Sequence, residues 1–422
     1  MTRIAVIGAG IAGTTSAWSL IRRGYDVTLF DRQRYAAMET SFANGGQLSA
    51  SNAEVWTHWS TVLKGLKWMM RKDAPLLFDP KPGWHKLSWV AEFIASIPHY
   101  ERNTMETVRL ALAARGHMER MAQEAGIEFD REKRGILHVY RDRKGFDHAA
   151  KVSRLYAQAG LDRLAVSPNE MRRMEPALTG DFHGGFYTET DSTGDIHKFA
   201  TGLSNAVGRS GGRFVGGASV TRLQRDPDGV TVWFEQGGER HEERFDGIVI
   251  AAGIASRAFA AQLGDRVNIY PVKGYSITVN LDGAESRAAA PWISLLDDDA
   301  KIVTSRLGAN RLRIAGTAEF NGENRDIRAD RIRPLTQWCE TMFPGVSTEN
   351  VVPWAGLRPM MPNMMPRFGR GRAPRVFYNT GHGHLGWTLS AATAEAVADV
   401  IGNDLPSEGR APFFRPVLVA AE

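Results

Sequence analysis

The stretch RIAVIGAGIAGTTSAWSLIRRGYDVTLFD, Arg3 to Asp31, decides the architecture of this 422-residue chain. Arg3–Gly8 is apolar and β-branched and predicts a short buried strand. Gly8-Ala9-Gly10-Ile11-Ala12-Gly13 then fits G-x-G-x-x-G and leads into a helix that Gly24 ends. Tyr25–Phe30 predicts a second strand, closed by Asp31. Each part meets a need of a bound dinucleotide. Gly8 makes the tight turn, Gly10 lets backbone N–H groups approach a pyrophosphate, and Gly13 brings helix and strand together. The helix N-terminus offers partial positive charge to the phosphates. Asp31 can accept hydrogen bonds from ribose hydroxyls, with Arg32 beside it. A lone glycine motif is a weak signal; strand, turn, helix, strand and acid in this order are a strong one. The motif by itself does not choose between FAD and NAD.

Working outward, Ile4–Ile21 carries no charge and invites a reading as a signal peptide or membrane span. Its three glycines and its Thr and Ser cluster mark a turn instead. No other uncharged run approaches spanning length, which points to a soluble or peripheral protein. The length suits two domains, and 43% hydrophobic with 23% charged residues is ordinary for a globular chain. The net charge of +5 comes without zinc-finger spacing, a long basic block or an aromatic-studded basic repeat, so neither nucleic acid nor a metal is expected. The single cysteine, Cys339, excludes an internal disulfide and fits a reducing compartment, the cytoplasm. It lies in an apolar helical stretch, Leu335 to Phe343, as a buried thiol rather than a nucleophile.

From Trp56 to about Ala125 the pattern is helical. Trp59, Val62, Leu63, Leu66, Met69 and Met70 share a face, with Lys64, Lys67, Arg71 and Lys72 elsewhere. Such a basic, Trp-bearing helix suits a membrane surface or packing against its own protein; the pattern leaves both open. Strands are expected at Gly135–Tyr140, Gly184–Tyr187, Val220–Leu223, Val230–Phe234, Arg244–Gly253, Tyr270–Asn280, Lys301–Phe320 and Val376–Tyr378. Helices are expected at Val90–Ile97, Val108–Ala125, Lys198–Ser210 and Ala391–Ile401. The nucleotide unit at one end and the glycine-rich strand-to-helix turn Asn379–Thr388 at the other imply one domain assembled from separated segments.

Several further motifs stand in order: Glu39–Gln47 (ETSFANGGQ), Leu66–Met69 (LKWM), Thr193-Gly194-Asp195, Tyr270–Ser276 (YPVKGYS), Gly356–Met360 (GLRPM) and Asn379–Thr388 (NTGHGHLGWT). With these the chain resembles, nearly end to end, the D-amino-acid-oxidase-like FAD-dependent oxidoreductases, and among them the bacterial D-amino acid dehydrogenases. The resemblance implies FAD as cofactor. It also implies an α/β plus α+β fold, a Rossmann-like FAD-binding domain of discontinuous segments joined to a substrate domain built on an antiparallel sheet. On that view 1–55, 191–265 and 351–422 bind FAD, and 56–190 with 266–350 form the substrate domain. The implied reaction takes hydride from the Cα of a D-amino acid to flavin N5, and water then releases a 2-oxo acid and ammonia. The implied acceptor is a quinone, which gives the basic helix a use on the inner face of a bacterial inner membrane.

The resemblance assigns cofactor contacts to Gly8, Ala9, Gly10, Ile11, Ala12, Gly13, Asp31 and Arg32. It assigns further ones to Thr40, Ser41, Asn44, Gly45, Gly46 and Gln47, to Val220, Ala252 and Gly253, and to Gly383, His384, Leu385, Gly386, Trp387 and Thr388. Arg358 corresponds to the arginine that grips the substrate carboxylate, which suits a planar fork donor. Tyr275 is expected to shape the substrate pocket, His382 to handle a proton, and Lys273 to lie near the flavin or on an exposed strand face. After GLRP the family usually reads Thr-Pro-Asp-Gly-x-Pro, whereas here Met361-Pro362-Asn363-Met364-Met365-Pro366 stands. Methionine replaces a turn glycine, which puts the loop's shape and the usual substrate in question. Oxidation of N-substituted amino acids such as sarcosine or hydroxyproline, an O₂-using oxidase, and a non-catalytic flavoprotein are the competing readings.

Overall fold

A computed structural model describes residues 1–68 and 76–407, with the side chains of 64–68 also outside the description. Arg3–Ile7 and Asp26–Asp31 form adjacent parallel strands, with the helix Ile11–Ile21 between them. They sit in a six-stranded sheet in the order Arg367–Arg370, Val376–Thr380, Gly247–Ile250, Arg3–Ile7, Asp26–Asp31, Arg213–Gly216. All its pairs are parallel except the first, an antiparallel edge. Parallel strands need both faces covered. One face packs against Ile11–Ile21, Ile196–Arg209 and the C-terminal helix Gly386–Asp404 through Trp18, Leu20, Phe199, Trp387 and Val397. The other packs through Ile7, Phe30 and Ile250 against a three-stranded meander (Ser219–Asp226, Gly229–Gln236, Glu239–Phe245) and Phe259.

The second sheet has nine strands, mixed but mainly antiparallel. Its longest strand, Tyr270–Asn280, lies one strand in from the edge, between Arg311–Phe320 and the edge strand Val351–Met360. The helix Ala329–Met342 covers one face through Leu335, Trp338 and Cys339. Cys339 is buried there, and burial pushes its thiol up to about 12, so it is a packing residue.

Two boundaries differ from expectation. Val351–Met360, expected to open the third FAD segment, pairs along its whole length with Tyr270–Asn280 and so belongs to the second sheet. The helix Tyr100–Ala125, expected within the substrate domain, places Ala114, Met118 and Met121 in the core of the nucleotide-binding half. In the amphipathic helix Trp59–Trp68, Val62 packs inward while Trp59 and Leu63 stay exposed. The basic part of that expectation, Lys64 to Lys72, lies outside the described side chains. No described helix is long and apolar enough to cross a membrane.

Candidate active site

The turn after Arg3–Ile7 has the geometry its glycines allow. Gly8 has φ +101°, and a Cβ on Gly13 would stand 1.7 Å from the Gly8 carbonyl oxygen. No other residue permits helix and strand to meet so closely. Ile11 N–H donates to Ser41 Oγ at 3.0 Å, fixing the loop Thr40–Gln47 over the helix start. Asp31 accepts from Ala9 N–H at 2.7 Å and from Gln33 N–H at 2.8 Å. Burial raises its carboxyl above the usual range, against the pull of those two donors. Arg32 is exposed and paired with Glu39, its Nε donating at 2.6 Å. Val220, half-buried on the meander, and Ala252 both pack against the core that contains Phe30.

The loop Thr40–Gln47 is held to the second sheet through its backbone. Ser276 Oγ donates to the Ala43 carbonyl at 2.6 Å, Ser305 Oγ to Gly45 at 2.6 Å, and Arg313 Nη1 to Asn44 at 2.9 Å. Thr40 Oγ1 donates at 2.8 Å to the Leu357 carbonyl, next to Arg358. Ser49 N–H reaches Thr388 Oγ1 at 3.1 Å, joining this loop to the C-terminal turn. Between these segments lies a cavity of about 670 Å³. Its lining includes Ile11, Thr40, Ser41, Asn44, Gly45, Gly46, Gln47, Gly383, His384, Leu385, Gly386, Trp387 and Thr388, together with Arg358. Gly8, Ala9, Gly10, Ala12, Gly13, Asp31, Arg32, Val220, Ala252 and Gly253 are not among its lining residues. Most of them gather at the carboxyl ends of the parallel strands, where open α/β sheets bind ligands.

Arg358 dominates the electrostatics. Its guanidinium lies deep in the protein but opens onto the cavity, and burial pulls its pKa down to about 10, so it stays charged at neutral pH. Among the described residues its one hydrogen bond goes from Nη1 to the Thr317 carbonyl at 3.1 Å. Among the described residues no carboxylate stands within ion-pair distance. A sheltered cation without a counter-ion is costly unless an anionic ligand completes it. The guanidinium lies over Gly274, where a Cβ would come within 2.3 Å of Cζ. Gly274 is thus a functional position that a search for chemistry-bearing side chains passes over; the signal was its register opposite Gly356 in the neighbouring GLRP strand.

Tyr275 lines the cavity with Gly274 and Ser276, and it also packs in the core with Leu335 and Trp338. Its hydroxyl reaches the Asp326 carbonyl at 3.4 Å, and burial raises its pKa. Lys273 is neither exposed nor at the cavity lining: its Nζ is buried against Glu319 Oε2 at 2.9 Å and Asn324 Oδ1 at 2.6 Å. His382 also departs from its expected proton-handling place. Its Nε2 meets Thr393 Oγ1 at 2.9 Å off the cavity wall, and burial lowers its pKa to about 4. His384 is the histidine at the cavity, stacked on Trp56 at 4.7 Å. Burial first, then the charge of Arg358, lower it to about 4, and neither ring nitrogen makes a well-aligned hydrogen bond.

The residues present fit FAD. A close-approach glycine turn opens a helix toward phosphates, and a glycine-lined cavity with unpartnered polar groups adjoins it. The family model described as FAD dependent oxidoreductase matches residues 3–400. A "D-amino acid dehydrogenase 3" of Mesorhizobium japonicum is 62% identical over 97% of this chain and 99% of its own length. A "D-amino acid dehydrogenase" of Dechloromonas aromatica is 40% identical, covering 98% of this chain and all of that one, 100%. Among solved structures, glycine oxidase from Geobacillus kaustophilus superposes with a TM-score of 0.74 over 96% of each chain at 19% identity, a likeness of fold. The glycine turn, the discontinuous parallel sheet and these matches agree, and the chain belongs to the FAD-dependent oxidoreductases.

Proposed function

We propose that this flavoenzyme oxidises D-amino acids to 2-oxo acids and ammonia and passes the electrons to a quinone. The observation that carries the substrate class is Arg358, a charged fork donor with no counter-ion among the described residues, open to the cavity. It pairs with a carboxylate through two parallel N–H···O bonds and fixes the position of Cα. Bound FAD supplies the two-electron acceptor for the Cα–H hydride. The chain's contribution is to bind, orient and shelter. His384 stays neutral and adds no charge beside Arg358, and Lys301, the other cation at the lining, is paired with Asp298 at 2.7 Å. The names and identities of the relatives support D-amino acids over the N-substituted alternatives.

The acceptor reading rests on an exposed apolar patch. Trp84 is 88% exposed and Leu63 64%, with Trp59 and Leu87 also exposed. Trp59 and Leu63 share a helix with Val62, and Trp84 and Leu87 share one with Trp89 and Phe93; Val62, Trp89 and Phe93 line the cavity. Exposed apolar side chains on helices that also line the cavity suit an amphiphilic acceptor at a membrane face.

Purified enzyme given a panel of D- and L-amino acids with a soluble dye acceptor should reduce the dye with D-amino acids and release little hydrogen peroxide under air. Turnover confined to sarcosine or hydroxyproline, or stoichiometric peroxide, would overturn the substrate or the acceptor reading respectively.

A further inference from the structure

The strand Arg311–Phe320 slips register once, where it passes Gly274. Lys273 pairs with Glu319 and Tyr275 with Gly316, so Thr317 and Ala318 together face a single residue. Thr317 absorbs the extra residue in the left-handed region, at φ +59°. A β-branched side chain is poorly tolerated there, and such conformations persist where the surroundings enforce them. The bulge turns the Thr317 carbonyl onto Arg358 Nη1 at 3.1 Å. The same residue lines the cavity, only 8% exposed, and its buried hydroxyl has no hydrogen-bond partner among the described residues. A buried hydroxyl left unpaired is costly unless a ligand meets it.

We propose that Thr317 is a substrate-binding residue whose hydroxyl donates to the carboxylate that Arg358 grips. This rests on the amino-acid reading of the cavity. One residue thereby holds the guanidinium through its carbonyl and adds a neutral donor through its side chain. A carboxylate has about four acceptor sites and a guanidinium fork takes two of them, which leaves room for an O–H donor. An ammonium group, by contrast, is repelled from the vicinity of the guanidinium charge.

Thr317→Val keeps the branched shape and the backbone demand and removes only the hydroxyl. Thr317→Gly relaxes the backbone and also lacks the hydroxyl, and Thr317→Ser retains it. The probes are D-alanine with a soluble dye, and propionate, a carboxylate without an amine, followed by its perturbation of the flavin absorbance. The valine and glycine variants should raise the KM for D-alanine and the dissociation constant of propionate together, about ten- to a hundredfold. Their kcat should change by less than about threefold, and serine should restore both affinities. Unchanged affinities in the valine and glycine variants overturn the proposal. So does a loss for D-alanine that spares propionate, which moves the hydroxyl to the amine. A changed flavin content or resting spectrum also overturns it, since the hydroxyl then serves the cofactor. If no D-amino acid reduces the wild-type flavin, the parent reading fails, and propionate binding still decides the role of Thr317.

Discussion

At Gly274 the missing side chain is what lets Arg358 face the cavity. A methyl there would meet Cζ and both terminal nitrogens within 2.4 Å. The far end of a flexible side chain yields easily, so Gly274→Ala should fold normally yet displace the guanidinium. Displacement by about 1 Å costs on the order of a hundredfold in kcat/KM; steady-state kinetics beside a melting curve separate the two effects. Met364 presents the opposite case. It occupies φ +65° where the resembling family usually has glycine, and its side chain is buried with Trp89, Phe93 and Met360. Burial holds the methionine in a conformation its backbone resists. Removing the side chain therefore leaves Met364→Gly more stable than Met364→Ala by about 1 kcal/mol, the reverse of the usual order. Urea midpoints of the two variants decide it. His382 carries a pH consequence. Burial lowers its pKa from 6.5 to about 4, so between those values the unfolded chain binds a proton that the folded chain refuses. Its contribution is intact above pH 6.5 and is lost as pH falls toward 4, by about 3 kcal/mol in full. His382→Asn should flatten the fall in urea midpoint between pH 7 and 4.5; an unchanged slope would contradict the burial argument.

At the scale of elements, what could be read in advance was what is locally periodic. The strand–glycine–helix–strand unit and the buried helix around Cys339 declare themselves because their burial follows from their own residues. Pairing partners do not. Val351–Met360 reads equally well on either sheet, and only its register with Tyr270–Asn280 assigns it. The strand Glu239–Phe245 (ERHEERF) is charged and mostly exposed, so it lacks the apolar alternation that marks a strand. Which face of a strand looks into a cavity is likewise set by its neighbours. That is why His382, off the cavity wall, drew notice while Thr317 on the wall did not, and why Gly274 was passed over beside Tyr275. The exposed Trp84–Leu87 patch belongs to this scale too. Replacing Trp84 and Leu87 with serine should weaken binding to lipid vesicles and slow reduction of a vesicle-embedded quinone. Rates with a soluble dye should hold, since neither side chain lines the cavity. Equal losses with both acceptors would place the patch in folding instead.

For the whole molecule, two sheets built from interleaved segments meet along one loop and one turn. Thr40–Gln47 hangs from the second sheet by hydrogen bonds to Ala43, Asn44 and Gly45, while Ser49 ties it to Thr388 in the C-terminal turn. The glycine-lined surfaces of the nucleotide-binding half are thus held facing the strand that carries Arg358. The cavity exists only because both halves are folded and joined. We propose that in it a flavin on one side and the Arg358 guanidinium on the other act on the same small carboxylate. Anaerobic titration of the yellow enzyme with D-alanine tests this directly when wild type and Arg358→Met are compared. Bleaching of the wild-type flavin, with the same bleaching in the fully flavinated variant only at about a hundredfold higher concentration or more, is the result expected. Bleaching of Arg358→Met at the wild-type concentration would contradict it.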